Sequence, residues 1–456
     1  GDMSGDVFGN GMLLSPHIRL VAAFDHRHIF IDPNPDAVKS FAERDRLFKL
    51  PRSSWADYDP KLISKGGGIF ERKLKSIKLT PEIKKMLDLS VDSLTPADLM
   101  KAILKSRAAL LFFGGIGNYI KATSETHAEC GDRANDAIRV NGNEIRARVV
   151  GEGANLGATQ RGRIEYAQSG AGGSGGKINT DAIDNSAGVD TSDHEVNIKV
   201  LLGDVVARGD MTLKQRDALL VKMTDEVADL VLRDNYLQTQ ALSLAEREGV
   251  SGVDRLQRLI RAQEKSGRLN RAIEFLPDDE EIAQRQAAGR GLTRPELAVL
   301  LAYAKMSLYD ELLASDLPDD APLAEDLEEY FPKPLRKNHA DAIKRHRLRR
   351  EIIATAVTNA MINRAGIVFV NDMRERTNAT SPEITRAYTV AQQVFGLRKL
   401  WDEIEALDNK VPAAAQSRML AVTMQLLERA TLWLLRNGGG PIDIAADRKS
   451  TRLNSS

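Results

Sequence analysis

The 456-residue chain carries 64 basic and 64 acidic side chains, and a formal charge of zero gives no field for gathering nucleic acid. Its length suffices for two or three domains with full cores. The one cysteine, Cys130, cannot form an internal disulfide, no apolar run approaches a membrane span and no signal peptide opens the sequence, so the cytoplasm is the expected home.

The first residues, GDMSGDVFGNG, place Gly1, Gly5, Gly9 and Gly11 ahead of the apolar Met12 to Leu14. This suits a phosphate-cradling turn at a helix N-terminus, where free N–H groups and the dipole meet a pyrophosphate. A dinucleotide fold needs a strand before that turn, so the sheet is expected to lack its first, central strand here. IRLVAAF, residues 18–24, is a short apolar run expected as a strand buried on both faces of a parallel sheet. Asp25 closes it 20 residues after Gly5, the offset of a carboxylate that accepts hydrogen bonds from adenosine ribose hydroxyls. Such a carboxylate repels a 2′-phosphate and favours NAD over NADP, although Arg27 lies close enough to blur the preference. The plain alternative for Asp25 is a strand-end turn residue.

Residues 32–77 are rich in Pro, Arg, Asp and Gly and read as an irregular insertion. Thr80-Pro81-Glu82 and Thr95-Pro96-Ala97-Asp98 are helix starts, a capping hydroxyl followed by proline and an acid in the first turn. Residues 108–113, AALLFF, predict a second buried strand, ending in Gly114, Gly115, Ile116 and Gly117; these glycines permit close approach by a ligand and serve equally as a strand-to-helix turn. Asn141-Gly142-Asn143 marks a turn before the run ending in Val149 and Val150, which delivers Gly-Glu-Gly-Ala-Asn155 to a strand end. The run Gly170 to Gly176 reads as a flexible connection without a phosphate role. Asn185, Ser186, Ala187 and Gly188 then lead through Ser192 into a helix, a second place where small residues, an amide and a hydroxyl suit an anion.

His194 with Asp193 and Glu195, and His26 with His28, bring no third ligand at helical or turn spacing, so no metal is expected. From Met211 the apolar spacing turns to three and four, and Thr293-Arg294-Pro295-Glu296 reads as a capping box. Ser381-Pro382-Glu383 starts a further helix; residues 316–324 read as a turn, and only residues 366–370, GIVFV, could interrupt the helical series. The basic run 344–350, KRHRLRR, sits on a helical pattern and reads as a solvated or subunit-facing side rather than a polyanion patch. The last residues, RKSTRLNSS, are unpatterned and resemble translated adapter sequence.

EGAN, then NSAGV, then Ser192 with Glu195 three residues beyond, resembles the cofactor domain of glutamate dehydrogenases. The strings GDMSGDVFGNGMLLS, FFGGIGNYIKA, ATQRGRIEYA and NTDAIDNSAGVDTSDHEVNIKVLL are similar to those of the large bacterial NAD-dependent members, and the likeness runs to about Asn437. The resemblance implies an α/β fold with a doubly wound, mostly parallel sheet truncated at its first strand and followed by an all-helical domain. The expected boundaries are 1–234, 235–446 and a non-native tail at 447–456. It implies NAD as cofactor, with Gly5, Asp6 and Val7 at the pyrophosphate, Asp25 at the adenosine ribose, and Gly115, Ala154, Asn155 and Asn185 at the nicotinamide end. Ser192 would hold the far carboxylate of L-glutamate, and the catalytic lysine and aspartate would lie in an upstream domain. Lys65, in Ser-Lys-Gly-Gly-Gly, follows the nucleotide turn where the family's lysine precedes it, and so reads as a loop residue. Met3 and Phe8 stand where ordinary members have two of their three glycines, so the local turn must differ. The implied reaction converts L-glutamate to 2-oxoglutarate and ammonia in a homo-oligomer, with no nucleic-acid or membrane partner. The alternatives are another amino acid dehydrogenase, or a nucleotide-sensing or assembly module without catalysis.

Overall fold

The computed structural model describes residues 1–438 and 441–447, and the adapter-like stretch 448–456 lies outside them. The chain is mixed α/β with small sheets and a helical C-terminal region. Contacts divide it into two compact units: residues 1–185 with 293–295, and residues 186–292 with 296 onward.

The first unit opens with α1 (Asp6–Leu13), for which Gly5 is the N-cap. Strands β1 (Ala22–Phe24), β2 (His28–Ile31) and, after α2 (Ala37–Lys49), β3 (Gly68–Glu71) form one antiparallel sheet in the order β1-β2-β3. Here the sequence reading needs two corrections. Only residues 22–24 of the apolar run join a ladder, and the chain reverses at Asp25 into β2 instead of crossing to a parallel neighbour. The stretch read as an irregular insertion contains β3 and a 13-residue helix whose first N–H groups, from Val38 and Lys39, are capped by the Asp36 carboxylate. Phe30, on the middle strand, stacks on Trp55 at 4.8 Å, and with Phe8, Met12 and Leu47 they close the core that seats α1 against α2.

The short strand pair β4 (Ile77–Lys78) and β5 (Ser93–Leu94) flanks α3 (Pro81–Leu87) and precedes α4 (Pro96–Leu104). Both helices start where the Thr-Pro pairs predict, with the Thr80 hydroxyl accepting from Ile83 N–H and that of Thr95 from Asp98 N–H. Strand β6 (Leu110–Phe113) follows. Beyond it come β7 (Ile120–Lys121), β8 (Val140–Asn141) and β9 (Val149–Glu152); β6 pairs with β9 and β7 with β8, both parallel. Helices α5 (Gln160–Ser169) and α6 (Asp181–Asp184) complete this unit.

The second unit begins with α7 (Ser186–Ala207), α8 (Leu213–Lys222) and α9 (Thr224–Glu248), the last two parted at Met223. It continues through α10 (Val253–Lys265), α11 (Asp279–Ala287) and α12 (Arg294–Leu313), the last beginning at the predicted Thr-Arg-Pro-Glu signal. Then follow α13 (Ala324–Tyr330), α14 (Lys333–Asn338), α15 (Ala340–Lys344) and α16 (Arg349–Ala365). Helices α17 (Phe369–Thr377), α18 (Ser381–Val394), α19 (Leu397–Glu405) and α20 (Ala413–Asn437) end the series. GIVFV forms no strand: Gly366, at φ +101°, terminates α16, and α17 starts three residues later. Among the described residues no single helix is long and apolar enough to cross a membrane.

Candidate dinucleotide site

Parallel strands present free backbone groups at their carboxyl ends, and the two strands of the β6–β9 pair end in glycine. In register, Phe113 lies opposite Glu152, and one step beyond, Ala154 N–H donates to Phe113 O at 3.0 Å. Gly114 and Gly153 are the residues that let α1 reach this edge. A Cβ on Gly114 would stand 2.6 Å from Phe8 Cβ, and one on Gly153 would stand 2.9 Å from Val7 Cγ1 and collide with the Phe112 ring. The first turn of α1 therefore meets the ends of both strands through Val7 and Phe8. Gly115 differs, because a Cβ there would meet nothing within 4 Å. Packing within the protein does not require glycine at this position, and the space beside it is open.

The Gly-Glu-Gly-Ala-Asn loop is held by acids that sequence reasoning passed over. Glu152, fully buried, takes the Arg163 guanidinium in a two-point contact at 2.7 and 2.9 Å, and its Oε1 also accepts Ala158 N–H. Asp184 accepts Glu152 N–H at 2.9 Å, and Asp181 accepts Leu156 N–H at 2.9 Å while pairing with Arg163. Burial pushes the carboxyls of Glu152 and Asp184 up, against the pull of Arg163. The loop backbone from 152 to 156 is thus pinned at both ends, with Leu156 at φ +61°. The same helix that carries Asp181 and Asp184 ends at Asn185, whose carboxamide meets Asn155 Oδ1 at 2.6 Å. The signal was present as two acids three apart immediately before Asn185.

Asp25 does the work of the strand-end turn residue that the sequence held as the plain alternative. Its Oδ1 accepts the N–H groups of Arg27 and His28 at 2.6 Å each, the work of a turn residue. Its Oδ2 is buried with no hydrogen-bond partner among the described residues. Ligand atoms of Asp25, Asp2 and His26 lie within 4.8 Å of one another, and Asp2 Oδ1 accepts Gly5 N–H, so Asp25 stands beside the glycine turn. Ser192 belongs to the other unit: it is exposed on α7 and donates to Gly188 O at 3.1 Å. Lys65 is an exposed loop residue paired with Glu82 at 3.3 Å. Arg349 and Arg350 of the basic run pair with Asp319 of their own chain, and Arg350 also donates to Leu313 O and Ser315 O.

A family model described as the catalytic domain of bacterial NAD-glutamate dehydrogenase matches residues 1–245, more than half of the chain. The chain belongs to the bacterial NAD-glutamate dehydrogenase family. A second model, the C-terminal part of glutamate dehydrogenase, matches residues 289–452. The NAD-specific glutamate dehydrogenase of Pseudomonas aeruginosa is 54% identical over 98% of this chain, that of Halomonas elongata 53% over 96%, and that of Mycobacterium tuberculosis 48% over 98%. The chain spans 27–28% of the length of these curated relatives. The arrangement brings together a helix N-terminus, two parallel strands each followed by glycine and an asparagine pair, with a buried carboxylate oxygen of Asp25 that has no partner among the described residues and open space at Gly115.

Proposed function

We propose that this chain is the cofactor-binding and helical part of an NAD-dependent glutamate dehydrogenase that converts L-glutamate to 2-oxoglutarate and ammonia. The observation that carries the reading is the convergence of Gly5–Val7, Gly114–Gly115 and Gly153–Asn155 on one strand edge, with Asn185 joined to Asn155. NAD, when bound, accepts the hydride from the substrate α-carbon. The chain's own residues hold and orient it: N–H groups at the start of α1 face the pyrophosphate, Asp25 Oδ2 accepts from the adenosine ribose, and the carboxamides of Asn155 and Asn185 orient the nicotinamide end. Ser192 holds the far carboxylate of glutamate. The proton-transfer lysine and aspartate belong to the portion of the enzyme beyond this quarter of its length.

The same reading makes β6–β9 part of a larger doubly wound sheet. Leu110 and Val149 on this pair are 50% and 41% exposed, whereas parallel sheets are covered on both faces by their crossover helices, so further elements of the longer protein would cover them. It keeps a cofactor domain at 1–234, a helical domain at 235–446 and a non-native tail at 447–456. It also keeps a homo-oligomer as the default assembly and the cytoplasm as compartment, the latter supported by the lone Cys130.

The test is steady-state kinetics of the full-length enzyme with glutamate and with leucine. Asn155→Ala is expected to raise KM for NAD, and Ser192→Ala to raise KM for glutamate, each by about tenfold, the worth of one charge-assisted or amide contact. A Ser192→Ala enzyme with unchanged KM for glutamate removes that residue's role, and equal turnover of leucine removes the substrate assignment.

A further inference from the structure

Helix α7 carries Asp190 and His194 one turn apart, and the fold adds what sequence spacing lacks, a third donor from α9, Asp234. One ligand atom from each of the three lies within 4.8 Å of the others, and His194 Nε2 faces Asp190 Oδ1 at 3.9 Å, too far for a hydrogen bond. His194 is 2% exposed, stacks on the Tyr330 ring at 4.3 Å, and its Nδ1 is buried without a partner. Tyr330 itself is committed elsewhere, to Asn197 and Asp193. An imidazole so buried and so fixed in direction, with two carboxylates beside it, is a donor set in search of an electrophile.

We propose that Asp190, His194 and Asp234 form a site for a first-row divalent cation of the zinc class, distinct from the dinucleotide site. Two carboxylates and one imidazole supply three ligands of mixed hardness, and water completes the shell on the partly open side where Asp190 keeps 25% of its side-chain exposure. A Ca²⁺ or Mg²⁺ ion fits poorly, since one ligand is nitrogen and both prefer six or more oxygens. Lys305 on α12 is the competing internal charge: its ammonium acts electrostatically on both carboxylates, while no carboxylate of the described residues lies within ion-pair distance of it. Repulsion from that ammonium opposes a bound cation, so removing it is expected to strengthen binding.

The probe is Co²⁺ titrated into the full chain, followed by its visible d–d absorption, with Zn²⁺ added to displace it. A saturable band at one equivalent is expected. His194→Gln and Asp234→Asn should each weaken binding by more than about tenfold, whereas Lys305→Met should tighten it by about tenfold. His26→Ala, which removes the exposed imidazole of the Asp2, Asp25 and His26 group, should leave the band in place. Far-UV circular dichroism establishes that each variant is folded. No saturable band in either the unsubstituted chain or Lys305→Met overturns the proposal, and so does a band that survives both His194→Gln and Asp234→Asn or is lost with His26→Ala.

Discussion

At the scale of single residues, two glycines near one strand edge separate what the fold needs from what a ligand needs. Gly153 is required by packing, because any Cβ would strike Phe112 and Val7. Gly153→Ala is expected to destabilise the chain by about 1–3 kcal/mol, the cost of forcing extra atoms into a filled contact, as read from urea denaturation. Gly115 has no such neighbour, so Gly115→Ala should leave stability within about 0.5 kcal/mol of the parent. If the open space beside Gly115 takes the nicotinamide end, the same substitution weakens NAD binding in the full-length enzyme, measured by fluorescence titration. Unaltered NAD affinity in a normally stable Gly115→Ala enzyme would contradict that placement.

At the scale of elements, His346 ties the turn after α15 to α7 and makes their packing sensitive to acid. Leu348 N–H donates to His346 Nδ1 at 3.1 Å, so the proton sits on Nε2, which donates to Asn197 O at 3.0 Å. The imidazole is 3% exposed, and burial holds its pKa below the usual histidine value. A folded-state pKa below the unfolded one means that the unfolded chain binds the proton first on acidification. The contribution to stability is full above about pH 6.5 and falls away as pH drops through the depressed value. Stability measured by denaturant titration should therefore decline from pH 7 to pH 5, and His346→Gln should flatten the slope. A slope unchanged by that substitution would show that other groups carry it.

Elements were legible wherever the signal is local. Thr-Pro pairs mark α3 and α4 because a hydroxyl cap and a proline act within one turn, and AALLFF marks β6 because its apolarity is contiguous. Helix α2 was hidden because its Asp36 cap lies among prolines and charges that read as loop. The hairpin at Asp25 was missed for another reason: an apolar run states that a strand is half or wholly covered, not whether its neighbour runs with it or against it. The small residues and amides near the β6–β9 edge were legible as a candidate site, while the acids that clamp the loop were not, since Glu152, Asp181 and Asp184 come together around Arg163 and the loop only after folding.

At the scale of the molecule, equal numbers of cations and anions are spent on local pairs more than on a long-range field. In the helical unit Arg255 pairs with Asp372, Arg271 with Glu264, Arg386 with Asp320 and Arg398 with Asp326, all within 2.8 Å. Many of these are partly exposed, so each contributes about 0–1 kcal/mol and is weakened by ions in solution. Because net charge is near zero, added salt has no self-repulsion to relieve. Raising NaCl from about 0.05 to about 0.5 M should lower the thermal midpoint by a few degrees. A rising midpoint would show that these pairs contribute little against general salting-out.

The carboxylates of Asp181 and Asp184 fasten the backbone between Glu152 and Leu156 before any ligand arrives. On the proposed reading, a rim frozen in this way has little freedom left to lose on capture, so discrimination between related dinucleotides would come from fit rather than from induced closure of this segment. Loosening the fastening by a change at either acid would trade that selectivity for adaptability without touching a single contacting side chain.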